Sequence, residues 1–260
     1  MYIKFGWNNM DSVIQSTANP VYKHVKKLLT GHGRRKNSQY IAEGARSVTD
    51  ALKNGCNVEF AVLSENADYD LSQYGVKVFR FSDKLFDDVK STVNSQGIIA
   101  VVNYEFPAVG SMNSENLKKI IYLDRITDPG NMGTIIRSAD AFGMDAVIVS
   151  KGCVDIFSPK VVRSSMASMQ SIAIYSDDTD AAVLGSLSSN GFRIVGTFPR
   201  AEADSYNADF GEKTVIVIGN EANGIGESAG SYCDLKVTVP MSGNAESLNA
   251  ATAATFIMYE

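Results

Sequence analysis

Three short polar segments hold side chains that could act together. Asn131-Met132-Gly133-Thr134-Ile135-Ile136-Arg137 places an amide and a cation along the start of a helix. Gly133 and Arg137 are four apart on one helix face, where a small residue leaves room for a long cation. Gly219-Asn220-Glu221-Ala222-Asn223-Gly224-Ile225-Gly226 sets one carboxylate among amides and glycines. Pro240-Met241-Ser242-Gly243-Asn244-Ala245-Glu246-Ser247-Leu248-Asn249 adds hydroxyls and a further amide. No Lys-Ser or Lys-Thr follows the glycines, so the Walker phosphate loop is absent, and the Gly219, Gly224, Gly226 spacing does not give the dinucleotide fingerprint. What remains is backbone amides and carbonyls with small side chains, suited to a flat uncharged ring and a ribose rather than a pyrophosphate.

The elements that must position these groups are legible around them. Thr214-Val215-Ile216-Val217-Ile218 and Leu235 to Val239 are short β-branched runs halted by Gly or Pro, which read as buried parallel strands delivering polar loops at their carboxyl ends. Two such loops side by side make the crevice that open α/β sheets place beyond their strand ends. From Lys118 onward strands are expected at 120–124, 146–150, 172–175 and 193–197. Helices are expected at 131–142, 158–168 and 179–189, with a last one from Leu248. That alternation predicts a parallel sheet with helices on both faces, and the rarity of threaded chains favours an unknotted doubly wound fold.

The first hundred residues form a smaller α/β unit. Asn19 to Thr30 fits a helix with Asn19 as cap and Pro20 in the first position, its Lys23, Lys26 and Lys27 mostly on the outer face. Gly31-His32-Gly33-Arg34-Arg35-Lys36-Asn37 reads as a flexible turn carrying three consecutive cations, which can neutralise phosphates without reading sequence. Ile41 to Arg46 opens a helix running to about Asn54; strands are expected at 58–63, 76–81 and 98–103, with a helix at 82–90. The organisation is then a smaller unit at 1–103 with a basic arm at 19–37, a linker at 104–117 rich in Pro, Gly, Ser and Asn, and a larger α/β unit at 118–260.

The 260 residues carry a net charge of −5, but residues 1–50 hold eight Lys or Arg against three Asp or Glu, while the other 210 hold sixteen against twenty-six. Such asymmetry points to a basic arm on an acidic body. No apolar run approaches the length of a membrane span, and residues 1–7 lack a signal peptide's hydrophobic core, so a cytosolic, non-membrane protein is expected. Cys56, Cys153 and Cys233 are isolated, and His24 and His32 lie far from them, which argues against disulfides and against a metal.

The three polar segments, each after a strand and in this order, resemble the signature motifs of the SpoU (TrmH-type) branch of the SPOUT RNA methyltransferases over roughly residues 118–260. The first hundred residues resemble, more loosely, the L30e-like substrate-binding domain that precedes many SpoU catalytic domains. The resemblance implies a deep C-terminal trefoil knot in place of the unknotted sheet, a homodimer, and transfer of a methyl group from S-adenosyl-L-methionine to a ribose 2′-hydroxyl, in rRNA in preference to tRNA.

It implies site residues as well. Arg137 would activate the hydroxyl, although a guanidinium is effectively always protonated, or would stabilise the developing alkoxide. Asn131, Glu221 and Asn249 would hold Arg137 and the ribose, with Glu221 open as either the base or an ion-pair partner of Arg137. Gly196, Thr197, Ile218, Gly219, Asn220, Ile225, Val239, Met241, Ser247 and Leu248 would frame the cofactor. Lys23, Lys27, Arg34, Arg35, Lys36 and Arg163 would meet RNA. Three positions depart from the family pattern: Ala250 and Ala251 follow Asn249 where Val and Ser are usual, and Ala167 stands where glycine is common. The rivals are a catalytically idle RNA-binding or ribosome-assembly protein of the same fold, whose RNA binding would ignore the cofactor, and a nicotinamide-dependent oxidoreductase, disfavoured by the missing glycine fingerprint.

Overall fold

The computed structural model describes residues 12–93, 95–244 and 247–260. Residues 1–7, Lys4 and Asp11 of the charge count, and Ala245 and Glu246 of the third polar segment lie outside them. The chain divides into two compact units with the boundary between Tyr104 and Glu105.

The first unit runs β1 (Val13–Ile14), α1 (Pro20–Leu28), α2 (Gly31–Asn37), β2 (Gln39–Glu43), α3 (Ala45–Lys53), β3 (Val58–Ser64), β4 (Val78–Phe81), α4 (Asp83–Val89), β5 (Ile98–Asn103). Its sheet has the order β1-β4-β3-β5-β2, parallel at β1–β4–β3 and antiparallel at β3–β5–β2. Asn19 caps α1 as its sequence suggests, its side chain accepting from Val21 N at 2.8 Å. Two expectations are corrected. Ile41-Ala42-Glu43 belongs to a strand, because Gln39–Glu43 pairs along its whole length with β5, in which residues 98–102 are buried. The segment 31–37 is a helix rather than a flexible turn: the Thr30 hydroxyl accepts from Gly33 N at 3.1 Å, and the Arg34 guanidinium donates to the carbonyls of Leu28 and Leu29 at the end of α1.

The second unit runs β6 (Lys119–Leu123), α5 (Pro129–Ala141), β7 (Ala146–Ser150), α6 (Pro159–Ser164), β8 (Ala173–Asp177), α7 (Ala182–Ser189), β9 (Arg193–Thr197), β10 (Ala203–Asp204), β11 (Thr214–Ile218), α8 (Glu227–Gly230), β12 (Leu235–Thr238), α9 (Ala250–Tyr259). These strands form one all-parallel sheet, β10-β12-β9-β11-β6-β7-β8. Alternate side chains go to opposite faces. Ile120, Tyr122, Ile148, Val215 and Val217 meet Leu184 and Leu187 of α7 and Ala229 of α8, while α5 and α9 pack against β7 and β11 over the intervening residues. Each such Val or Ile side chain, fully buried, contributes about 1.5–3 kcal/mol, which is why the strands read as continuous apolar runs.

The chain leaves β6 for β7 and β8, crosses to β9, inserts β11 between β9 and β6, goes outward to β12, and returns in α9 to lie on α5. That return path is the crossing on which the implied knot depends. Much of the expected linker is also built into this unit: Ser176 N donates to Pro107 O at 2.9 Å, and Val109 is part of the buried core.

The helix expected over 158–168 stops at Ser164, and Met166 and Ala167 then take φ of 50° and 73°. This explains why glycine suits position 167, since the left-handed region costs an L-residue roughly 1–2 kcal/mol. Ala167→Gly is therefore expected to stabilise the protein by about 0.5 kcal/mol, the relieved strain exceeding the added chain entropy of roughly 0.5–1 kcal/mol. Urea denaturation with an unchanged slope measures it; a loss of stability would contradict a strained Ala167.

Candidate active site

The carboxyl ends of β9, β11 and β12 open onto a cleft of about 430 Å³. One wall is the loop after β11. Gly219 brings its two ends together: a Cβ there would lie 2.2 Å from Ile225 N and 2.3 Å from Gly224 C. Asn220 and Gly224 exchange backbone hydrogen bonds at 3.0 and 2.8 Å, and the Asn220 side-chain oxygen accepts from Ala222 N and Asn223 N. The Asn220 amide nitrogen donates to Arg125 O at 2.8 Å, tying this ring to the end of β6.

Beside the cleft, three distant segments are joined by hydrogen bonds. Asn249 caps α9, its Oδ1 accepting from Ala251 N and Thr252 N, which leaves its Nδ2 to donate to Asn131 Oδ1 at 2.8 Å across 118 positions of sequence. Asn131 Nδ2 in turn donates to Glu221 Oε1 at 3.0 Å. Asp128, not Asn131, caps α5, accepting from Asn131 N at 2.8 Å, so the Asn131 side chain is free to bridge the other two. The same pairing continues up the helices: Ser138 meets Thr255 at 2.8 Å and the Phe142 ring meets Tyr259, so α5 and α9 lie parallel in register.

Glu221 further accepts from Thr127 N, Thr127 Oγ1, Asp128 N and Asn220 Nδ2, at 3.2–3.4 Å. Burial alone would raise its pKa, but the Asn131 amide and the surrounding backbone N–H groups outweigh it and hold the carboxyl below its ordinary 4.5. A carboxylate so satisfied is a poor proton acceptor. Its hydrogen bonds contribute stability that is fully present above the unfolded value and is lost as pH falls through the lowered folded one. Accordingly, the stability gap between wild type and Glu221→Gln should be flat from neutral pH to about 5 and shrink below about 4, as read from thermal melts at each pH. A gap that stayed constant as pH falls through the acid range would remove the carboxylate's charge from the account.

Arg137 is exposed on α5 and, among the described residues, makes no hydrogen bond or ion pair. The Arg137–Glu221 ion pair, one of the two roles left open for Glu221, is thus not formed. Gly133 serves a different neighbour from the one its spacing suggests: a Cβ there would strike Ser164 Oγ at 2.0 Å and Val161 O at 2.8 Å, so it permits the close contact of α5 with α6. Thr197, Ile218, Gly219, Asn220, Ile225, Val239, Met241, Ser247 and Leu248 all line the cleft, although the Thr197 hydroxyl is spent on Val217 O at 3.0 Å. Gly196 does not line it; it is small because Cys233 Sγ and the Phe198 ring press where a Cβ would be, at 2.6 and 2.8 Å. In the first unit Lys23, Lys27, Arg35 and Lys36 are exposed, whereas Arg34 is 5% exposed and committed to α1, which corrects its expected role as an RNA contact. Arg163 is exposed on α6.

A model of the SpoU rRNA methylase family matches residues 118–259, and one of the MRM3-like substrate binding domain matches residues 19–100. The chain belongs to the SpoU rRNA methylase family. It is 33% identical over 250 residues to the 23S rRNA (guanosine(2553)-2′-O)-methyltransferase RlmP of Bacillus subtilis, covering 95% of this chain and 97% of that one. It is 30% identical over 268 residues to the 23S rRNA (uridine(2479)-2′-O)-methyltransferase of Streptomyces viridochromogenes, covering 94% and 90%. Among solved structures it resembles an AdoMet-bound rRNA methyltransferase from Sinorhizobium meliloti, with TM-score 0.86, 25% identity and coverage of 96% and 97%. It also resembles the SpoU methyltransferase AviRb from Streptomyces viridochromogenes in complex with AdoMet, with TM-score 0.80, 28% identity and coverage of 93% and 96%.

Within this SpoU site, sequence reasoning missed Thr127 and Asp128, which hold Glu221, and the wall residues Phe198, Pro199 and Ile257. The Asp128-Pro129 pair was a usable signal, because a capping residue followed by proline opens a helix. Of the departures from the family pattern after Asn249, Ala250 lines the cleft and Ala251 is buried with its N–H on Asn249. No grouping of His, Cys, Asp or Glu able to hold a metal occurs among the described residues, and none of their helices is long and apolar enough to cross a membrane.

Proposed function

We propose that this SpoU protein transfers a methyl group from S-adenosylmethionine to a ribose 2′-oxygen of ribosomal RNA. The observation that carries the proposal is the Asn249–Asn131–Glu221 chain of hydrogen bonds, which sets three distant segments beside one cleft with Arg137 unengaged on the adjoining helix. The cleft fits the donor. Ile218, Ile225, Val239, Met241 and Leu248 supply apolar walls for a purine, and the Gly219–Gly226 ring supplies backbone polar groups with no cation for a pyrophosphate. When bound there, the sulfonium offers an electrophilic methyl group.

The remaining chemistry belongs to the chain. Transfer forms the 2′-O–CH3 bond, breaks the donor's S–CH3 bond to leave a neutral thioether, and releases the hydroxyl proton to solvent water, with negative charge building on the oxygen on the way. Arg137, free of an internal carboxylate, is placed to stabilise that charge and to hold the neighbouring phosphate. Asn131 and Asn249 orient the ribose through amides locked by their own hydrogen bonds. Glu221 clamps Asn131 and the 127–128 backbone rather than taking the proton.

Lys23, Lys27, Arg35 and Lys36 of the substrate-binding unit, with Arg163, would engage RNA phosphates, and both named 23S-specific relatives support rRNA over tRNA. Phe256 and Tyr259, 46% and 74% exposed on α9, support a homodimer through the outer face of α5 and α9, and a ribosomal substrate supports a cytoplasmic location. Incubation with methyl-labelled donor and RNA from cells lacking the enzyme, followed by mapping of the 2′-O-methylated nucleotide, tests the whole. Label in tRNA alone would displace the rRNA assignment, and cofactor-independent RNA binding with no label would favour the idle rival.

A further inference from the structure

The dipeptide Asp124-Arg125, just after β6, lies outside the groups given roles above, yet both ends of the Gly219–Gly226 ring are tied to it. At the near end, Asn220 Nδ2 donates to Arg125 O at 2.8 Å. At the far end, Gly226 N donates to Asp124 Oδ2 at 2.7 Å. The Asp124 carboxylate is 6% exposed, and burying an uncompensated charge is costly. Arg125 compensates it, its Nε and Nη2 meeting Asp124 Oδ1 and Oδ2 at 3.0 and 2.9 Å. In this fork-to-fork pair of adjacent residues Arg125 adopts φ of 55°, a left-handed conformation that persists in an L-residue only where its surroundings enforce it. The approach at the ring's far foot is close: a Cβ on Gly226 would lie 2.4 Å from Arg125 Nη2 and 2.9 Å from its Cζ, so a side chain there would push the guanidinium off Asp124.

We infer that Asp124 and Arg125 are positioning residues for the methyl donor: a buried carboxylate paired with a half-exposed guanidinium that fixes both feet of the Gly219–Gly226 ring and so sets the width of the donor cleft. The inference rests on the cleft being the donor site. It predicts an effect on donor affinity that exceeds any effect on the chemical step, because neither side chain is among the groups that line the cleft.

Calorimetric titration of the full chain with S-adenosylmethionine, and separately with its demethylated product, tests this without RNA. Arg125→Ala should weaken donor binding about tenfold, while kcat at saturating donor stays within about twofold. Arg125→Lys should recover part of the loss by restoring the charge without the fork. Gly226→Ala should weaken binding through collision with the guanidinium, and the double variant should bind more tightly than the product of the two single losses predicts, because removing the guanidinium removes the collision. Wild-type affinity in Arg125→Ala, or strict additivity in the double variant, would overturn the brace. If Arg125→Ala does not fold, Gly226→Ala and Arg125→Lys decide: unchanged affinity in both refutes it. Donor binding that follows these expectations in a protein that labels no RNA would leave the brace standing and bring down the proposed reaction alone.

Discussion

Arg137→Ala is expected to slow methyl transfer to rRNA by about 10²–10³-fold at saturating donor and RNA, the scale seen when one preorganised donor to a developing oxyanion is removed. Donor affinity should stay within about twofold, because Arg137 is not among the residues lining the cleft. The effect on folding should be small, since the side chain is exposed and, among the described residues, unbonded, and such surface changes usually fall within about 0.5 kcal/mol. Arg137→Lys should fall between, keeping the charge but losing the planar fork that can hold a phosphate and an alkoxide together. Single-turnover transfer separates this from a binding defect. Equal transfer by wild type and Arg137→Ala would remove the residue from the reaction.

Gly219→Ala is expected to abolish donor binding within the measurable range, a loss of at least about 100-fold. The added methyl would face the backbone of Gly224 and Ile225 at 2.2–2.3 Å, and backbone cannot rotate aside as a side-chain tip can. The ring would have to open, breaking the reciprocal Asn220–Gly224 bonds that shape the cleft wall. Overpacking of this kind costs about 1–3 kcal/mol in stability, so the variant should still fold, with a modestly lowered melting temperature and no heat of binding for the donor. Near-normal affinity in a folded Gly219→Ala protein would show that the ring does not form the donor wall.

The strands of the second unit were legible because a parallel sheet buries both faces of each strand, leaving uniform runs such as Val215–Ile218 in the sequence. The cleft residues followed, since they come directly after those runs. What was not legible depends on partners distant in sequence. Ile41-Ala42-Glu43 becomes a strand only because β5 is beside it, and segment 31–37 becomes a helix with one arginine withdrawn from solvent because the end of α1 offers carbonyls to Arg34. Gly133 and Gly196 were recognised as special but credited with the wrong neighbours. Nothing in local spacing says that Ser164 and Cys233 are what press against them. Glu221 showed itself as a carboxylate in a polar loop; that it is bonded to amides rather than to Arg137 is a fact of three-dimensional placement.

The parallel seating of α9 against α5 has a consequence for how this protein is made. Asn249, the wall residues Ser247 to Ile257, and the Thr255 and Tyr259 contacts all come from the stretch translated more than a hundred residues after Asn131. Before that stretch is laid against α5, the chain has Arg137 and every strand of the sheet, but neither a closed donor wall nor the Asn249 bond to Asn131. A chain lacking this stretch keeps the sheet but not the cleft wall, and is expected to bind no donor.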